Sequence, residues 1–177
     1  MSTTHNKEEI FSQKPYNPFA FLQSEADCCD LAAGVIKNFQ PNGKIDNDPF
    51  FVRARSALLR AIILYLYKEC RWRERNFTSL MKLLNAAIVE EGNDEHKSPL
   101  NIIFEDLAKI DPLHPGVREY WVFKQATPES AAIIIEDIEN NLEAFGWTRC
   151  VRRPSVPVPY IHYMQQQVRL LKMERKE

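Results

Sequence analysis

Apolar residues recur at spacings of three and four along most of this chain, and each such segment opens on residues that start helices. Ser24 with Asp27 three positions on forms a capping-box-like pair. Leu31, Val35, Ile36 and Phe39 then make an apolar stripe, so the pattern predicts a first helix over about 25–38. The turn-rich QPNGKIDND follows. Asp48 before Pro49 is a favoured helix start, and FFVRARSALLRAIILYLYKEC continues without a breaker to about Cys70. Its middle is apolar nearly all round, which predicts the most buried helix of the protein. A third helix is expected over 78–90, with Leu80, Met81, Leu83, Leu84, Ala87 and Ile88 inward. Ser98-Pro99 opens a fourth, which carries Leu100, Ile103, Phe104 and Leu107 and stops at Asp111-Pro112. A fifth begins near Pro115 and holds Val117, Tyr120, Trp121 and Phe123. A sixth begins at Thr127-Pro128 and runs to Gly146, a natural stop. The isoleucines at 133–135 are β-prone, but the proline start and glycine end decide for helix. Neither period-two alternation nor a fixed repeat is present. The expected fold is all-α: about six helices in a compact bundle around the long helix at 49–70.

Three regions follow from the same pattern. Residues 1–14 are polar and expected to fray. Residues 15–146 form the helical domain, entered through KPYNPFAFLQSEAD, whose prolines and aromatics predict an extended strap with its rings on the body. Residues 147–177 contain three prolines and then a basic segment expected to be a terminal helix.

Composition narrows the function. The chain has 177 residues, 45% hydrophobic and 27% charged, as in soluble globular proteins. Its 23 basic and 24 acidic residues nearly cancel, so no overall field holds nucleic acid or an anionic membrane. The charge is unevenly placed: residues 147–177 carry seven basic and two acidic residues, and residues 1–146 carry 16 and 22. Such an asymmetry marks an appended tail or a segment that touches something acidic. The five glycines, Gly34, Gly43, Gly92, Gly116 and Gly146, lie too far apart for a phosphate-cradling loop. Cys28, Cys29, Cys70 and Cys150 have neither metal-site nor disulfide-framework spacing and are expected as reduced thiols on helices. MSTTHNKEEIF has no apolar core behind a basic start, so it does not read as a secretory signal. The longest apolar run, AIILYLY, falls far short of the roughly 20 residues that span a bilayer. The expected location is the cytosol.

Candidate chemistry is sparse. His5, His96, His114 and His162 lie in four segments, none with a partner at ligand spacing, so neither metal nor cofactor is expected. Adjacent carboxylates such as Glu136-Asp137 read as solvated helix surface, and no nucleophile motif occurs, so no catalytic residue is expected. The strongest binding signal is basic: Arg53, Arg55, Arg60, Arg71, Arg73 and Arg75, with Trp72 among them. Guanidinium groups beside an indole suit phosphates and stacked bases. The plainer alternative pairs these arginines with the acids of their own domain. From Arg53 to Arg71 is roughly 27 Å along a helix, so the set forms two patches. Glu90, Glu91, Asp94 and Glu95 make an acidic loop that could receive a basic partner. Tyr120, Trp121 and Phe123 read first as core.

Four short elements also carry a resemblance: Asn17-Pro18-Phe19, Asp48-Pro49-Phe50-Phe51, Glu74-Arg75-Asn76-Phe77 and Ser98-Pro99-Leu100. In this order and spacing, over about residues 15–130, they resemble the all-α domain of the coupling ATPases of conjugative DNA transfer and type IV secretion, the TraG/TraD type. The resemblance implies a helical fold and a recruiting role, docking a relaxase, another transferred protein or DNA. In that family ATP hydrolysis belongs to the RecA-like motor around the helical insertion. The motor's nucleotide motifs are absent from this sequence, so the expectation is a non-catalytic module, monomeric or weakly self-associating. The pattern fades after about Ala126. A DNA-binding module using the basic patches and tail, or a remnant without activity, are the alternatives.

Overall fold

A computed structural model of the chain describes residues 17–37, 39, 48–88 and 97–144. Its organising element is the long apolar helix that the Asp48-Pro49 step starts. The Asp48 carboxylate accepts the Phe50 N–H at 2.8 Å, and proline at the first helical position has no N–H to satisfy. The helix spans Pro49–Glu69, here α2, after α1 at Glu25–Lys37. Residues 61–66 are all buried, a run that only a helix surrounded on every side can sustain. The neighbours that surround it are α1, α3 (Phe77–Asn85), α5 (Pro115–Phe123) and α6 (Pro128–Ala144). Helix α4 (Pro99–Ile110) packs on α5, and its Phe104 ring lies 5.8 Å from that of Tyr65 on α2. Six α-helices and two short 3-10 turns, Pro18–Phe21 and Trp72–Glu74, account for the regular structure among the described residues, which contain no strand. The fold is all-α around a long buried central helix.

The caps behave as their residue types dictate. Ser24 Oγ accepts the Asp27 N–H at 3.2 Å and Asp27 Oδ2 accepts the Ser24 N–H at 2.8 Å, a reciprocal capping box. Asn76 caps α3 and Ser98 caps α4. Thr127 Oγ1 accepts the Ser130 N–H at 3.3 Å at the start of α6. The isoleucine run is helical: Ile134 and Ile135 are buried and Ile133 faces outward.

Two expectations need correction. The third helix ends at Asn85 and not near Glu90. Ala86 closes it by donating to Lys82 O, and the Ala86 carbonyl accepts the Leu100 N–H of α4 at 2.8 Å. That tertiary hydrogen bond draws the chain off the helix axis and leaves no mark on local periodicity. The strap at 17–22 is a 3-10 turn and not an extended run. Its two phenylalanines part company. Phe19 is buried edge-on against Phe77 at 5.2 Å, while Phe21 stays 65% exposed. Residues 1–14 and 147–177, and the expectations placed on them, lie outside the described residues.

Candidate functional site

The arginines divide by what α2 packs against. Arg53, in its first turns, is exposed. Arg55, two positions on, points into the bundle, and its side chain is 4% exposed. Its Nη1 donates to Asp137 Oδ2 on α6 at 2.6 Å, and its guanidinium sits 5.3 Å from the Phe39 ring centroid. The other oxygen of Asp137 accepts Asn141 Nδ2 at 3.1 Å, so the carboxylate is fully engaged. Arg60 is half-buried beside Glu119 of α5, with Nε 3.3 Å from its carboxylate. The sequence placed Arg55 and Arg60 in a binding patch. The structure spends both on ion pairs within the fold, because α5 and α6 bring acids to the face of α2 that carries them.

The remaining basic residues gather at the other end of α2. After Cys70 the chain makes one 3-10 turn, Trp72–Glu74, before entering α3. Arg71, Trp72 and Arg73 project from this knuckle into solvent, the indole 73% exposed. The backbone beneath them is tied down. The Arg71 N–H donates to Glu74 Oε2 at 3.1 Å, and the Glu74 N–H to the Arg71 carbonyl at 2.9 Å. Asn76 Nδ2 donates to the Arg73 carbonyl at 2.9 Å while its Oδ1 accepts the Ser79 N–H at 2.9 Å. Asn17, from the strap, donates across 58 positions to the Arg75 carbonyl at 2.8 Å. Arg75 itself is turned inward: Nε donates to the Cys70 carbonyl at 3.1 Å, and the guanidinium covers the Tyr67 ring at 5.2 Å. Arg75 therefore braces the knuckle, and the free faces are those of Arg71, Trp72 and Arg73. The Arg73 guanidinium lies over the Trp72 ring, 5.4 Å from its centroid, and the indole stays 73% exposed.

A rigid, exposed tryptophan between two cations suits a partner that offers carboxylates or phosphates with an apolar or planar surface. Sequence spacing identified these residue types. It missed the strap–knuckle lock, which joins the Asn17-Pro18-Phe19 and Glu74-Arg75-Asn76-Phe77 elements through Asn17–Arg75 and Phe19–Phe77. The acidic loop residues Glu90, Glu91, Asp94 and Glu95 lie outside the described residues. Tyr120 and Phe123 are core, Tyr120 stacked on Phe104 at 4.3 Å, whereas Trp121 is partly exposed.

The other reactive groups are held quiet. Burial pushes the Cys28 and Cys70 thiols up to about 12, which leaves them protonated at neutral pH. His114 is fully buried as the cap of α5: Nδ1 accepts the Gly116 N–H at 3.0 Å, and Nε2 stands 3.6 Å from Glu69. Desolvation, helped by the nearby Lys68 charge, brings its pKa down to about 4. No grouping of His, Cys, Asp and Glu able to hold a metal occurs among the described residues, and no helix there is long and apolar enough to cross a membrane. No family model, curated protein or solved structure matches the chain.

Proposed function

We propose that this chain is a non-catalytic recruiting module of the kind its four sequence elements resemble, a helical domain that docks a relaxase or another transferred protein for conjugative DNA transfer or type IV secretion. The observation that carries this reading is the Arg71–Trp72–Arg73 knuckle, with its exposed indole on a backbone fixed from both sides. Tryptophan and arginine dominate binding energy at protein interfaces, and a prefixed backbone lowers the ordering entropy lost on docking. The four elements add support through their placement: each opens a helix or turn of the domain, and two of them clasp each other behind the knuckle.

The test is binding of the purified full chain to a relaxase of a conjugative transfer system, with and without that relaxase's cognate single-stranded DNA, measured by interferometry. Binding should weaken by roughly thirtyfold in Trp72→Ala, the loss expected for an interface anchor, and should change little in Arg53→Ala. Failure to bind, or binding indifferent to Trp72, removes the reading.

A second reading, direct DNA binding, has one observation in its favour: the Arg73 guanidinium lies 5.4 Å from the centroid of the exposed Trp72 ring. It demands steep weakening of oligonucleotide affinity with salt.

A further inference from the structure

Trp72 and Leu113 are the two most exposed large apolar side chains among the described residues, Leu113 at 81%. A single exposed leucine is ordinary on a protein surface. This one differs in where it stands and in how its backbone is held. Leu113 lies in the turn Asp111-Pro112-Leu113-His114, which joins α4 to α5. Its N–H donates to Asp111 Oδ1 at 3.2 Å, and the His114 N–H donates to the Asp111 carbonyl at 3.1 Å. Pro112 and Pro115 fix φ at their own positions, and the buried His114 ring anchors the turn in the body. The leucine is therefore held out to solvent on a fixed backbone, as Trp72 is on the knuckle.

Turn and knuckle meet the same end of α2. His114 Nε2 stands 3.6 Å from Glu69 Oε1 on the last residue of that helix, and Trp72 follows three positions after Glu69. Along the last turn of α2, the knuckle and the starts of α1 and α5, four cations are exposed: Lys68, Arg71, Arg73 and Arg118. One acid there is exposed, Glu25, and Lys68 already holds it at 2.6 Å. Asp27, Glu74 and Asp111 are half-buried and accept backbone N–H groups, and the half-buried Glu69 faces His114. Arg71, Arg73 and Arg118 form no salt bridge among the described residues. The charge left to a partner is positive. A leucine offers no ring for a base to stack on, which disfavours nucleic acid. A second copy would set these cations against their own kind across a two-fold axis. We infer that Leu113 is a second anchor of the docking surface, and that this surface receives an acidic segment of the recruited protein. The segment's apolar side chains rest on Trp72 and Leu113, and its carboxylates meet Arg71, Arg73 and Arg118. Both anchors stand on fixed backbones, so little ordering entropy is lost on contact. The inference rests on the recruiting role proposed above and names the chemistry of what is recruited.

A random-peptide phage library panned on the immobilised full chain tests it, with the synthesised consensus peptide then titrated by interferometry. The enriched peptides should carry an excess of Asp and Glu beside leucine or aromatic residues. Consensus binding should weaken at least about tenfold in Leu113→Ser and in Trp72→Ala. It should weaken also in Arg118→Glu and with added salt. Leu113→Ser should melt as the unaltered chain does, because so exposed a side chain adds little to packing. Arg118→Glu probes the same surface without altering the turn. A pool without acidic enrichment overturns the inference. So does a consensus peptide that binds Leu113→Ser and Arg118→Glu as tightly as the unaltered chain. A dimer in sedimentation that Leu113→Ser dissolves assigns the face to a second copy and overturns it too. The two readings fail separately. Relaxase binding that needs Trp72 but neither Leu113 nor Arg118 removes this inference and leaves the role of the knuckle standing, whereas indifference to Trp72 removes both.

Discussion

Replacing Asp137 by alanine leaves the Arg55 guanidinium inside the bundle without its counter-charge. The two side chains are 4% and 1% exposed and meet at 2.6 Å, so water cannot take the place of the lost carboxylate without opening the α2–α6 contact. Breaking a buried pair in this way costs about 3–5 kcal/mol, whereas an exposed pair is worth about 0–1. Against a total stability of roughly 5–15 kcal/mol, the loss is about a fifth or more of what holds a small domain folded. In a chain of this size it should lower the melting temperature by roughly 10 °C. The Phe39 ring under the guanidinium does not offset this, because a cation–π contact returns at most about 2 kcal/mol. Urea unfolding followed by circular dichroism, with equal slopes for the two proteins, gives the difference directly. The double variant Arg55→Met with Asp137→Leu removes both charges and keeps the volume, and should lie within about 1 kcal/mol of the unaltered protein. If Asp137→Ala costs less than about 1 kcal/mol, or if the double variant loses the sum of the single losses, then Arg55 is not the internal ion-pair partner described above.

Three further outcomes follow from the same geometry. A methyl group at Gly116 would stand 3.0 Å from the His114 ring and 3.1 Å from the Ala61 carbonyl of α2, so Gly116→Ala should destabilise the domain by about 1–3 kcal/mol in the same unfolding assay, despite alanine's better helix propensity. His114, with its pKa lowered to about 4 from the ordinary 6.5, binds its proton more weakly folded than unfolded. Its contribution is therefore complete above pH 6.5 and is lost as pH falls toward 4. Melting temperatures from pH 4 to 8 should accordingly fall less steeply with acid in His114→Asn, which keeps a capping oxygen. Trp72→Ala should leave stability within about 0.5 kcal/mol, since the indole touches little of the body, and a larger loss would mean that the knuckle is a packing feature and not a docking surface.

Helix existence and order were written in the chain because the signals are local. A cap followed by proline at 48–49, 98–99 and 127–128 fixes where backbone N–H groups stop needing partners, and an apolar run such as that of α2 can be satisfied only by enclosure. The residue types of the knuckle were legible for the same reason. Which arginine faces water was not. Arg53 and Arg55 sit two positions apart on one helix, and only the approach of α6 with Asp137 made one of them an internal ion pair while the other stayed exposed. The early end of α3, fixed by the Leu100 N–H, and the clasp of Asn17 on the knuckle likewise join residues far apart in sequence. Periodicity reports what a segment needs from its surroundings. Only packing decides which distant side chain supplies it, because that choice depends on distances that exist only once the helices have met.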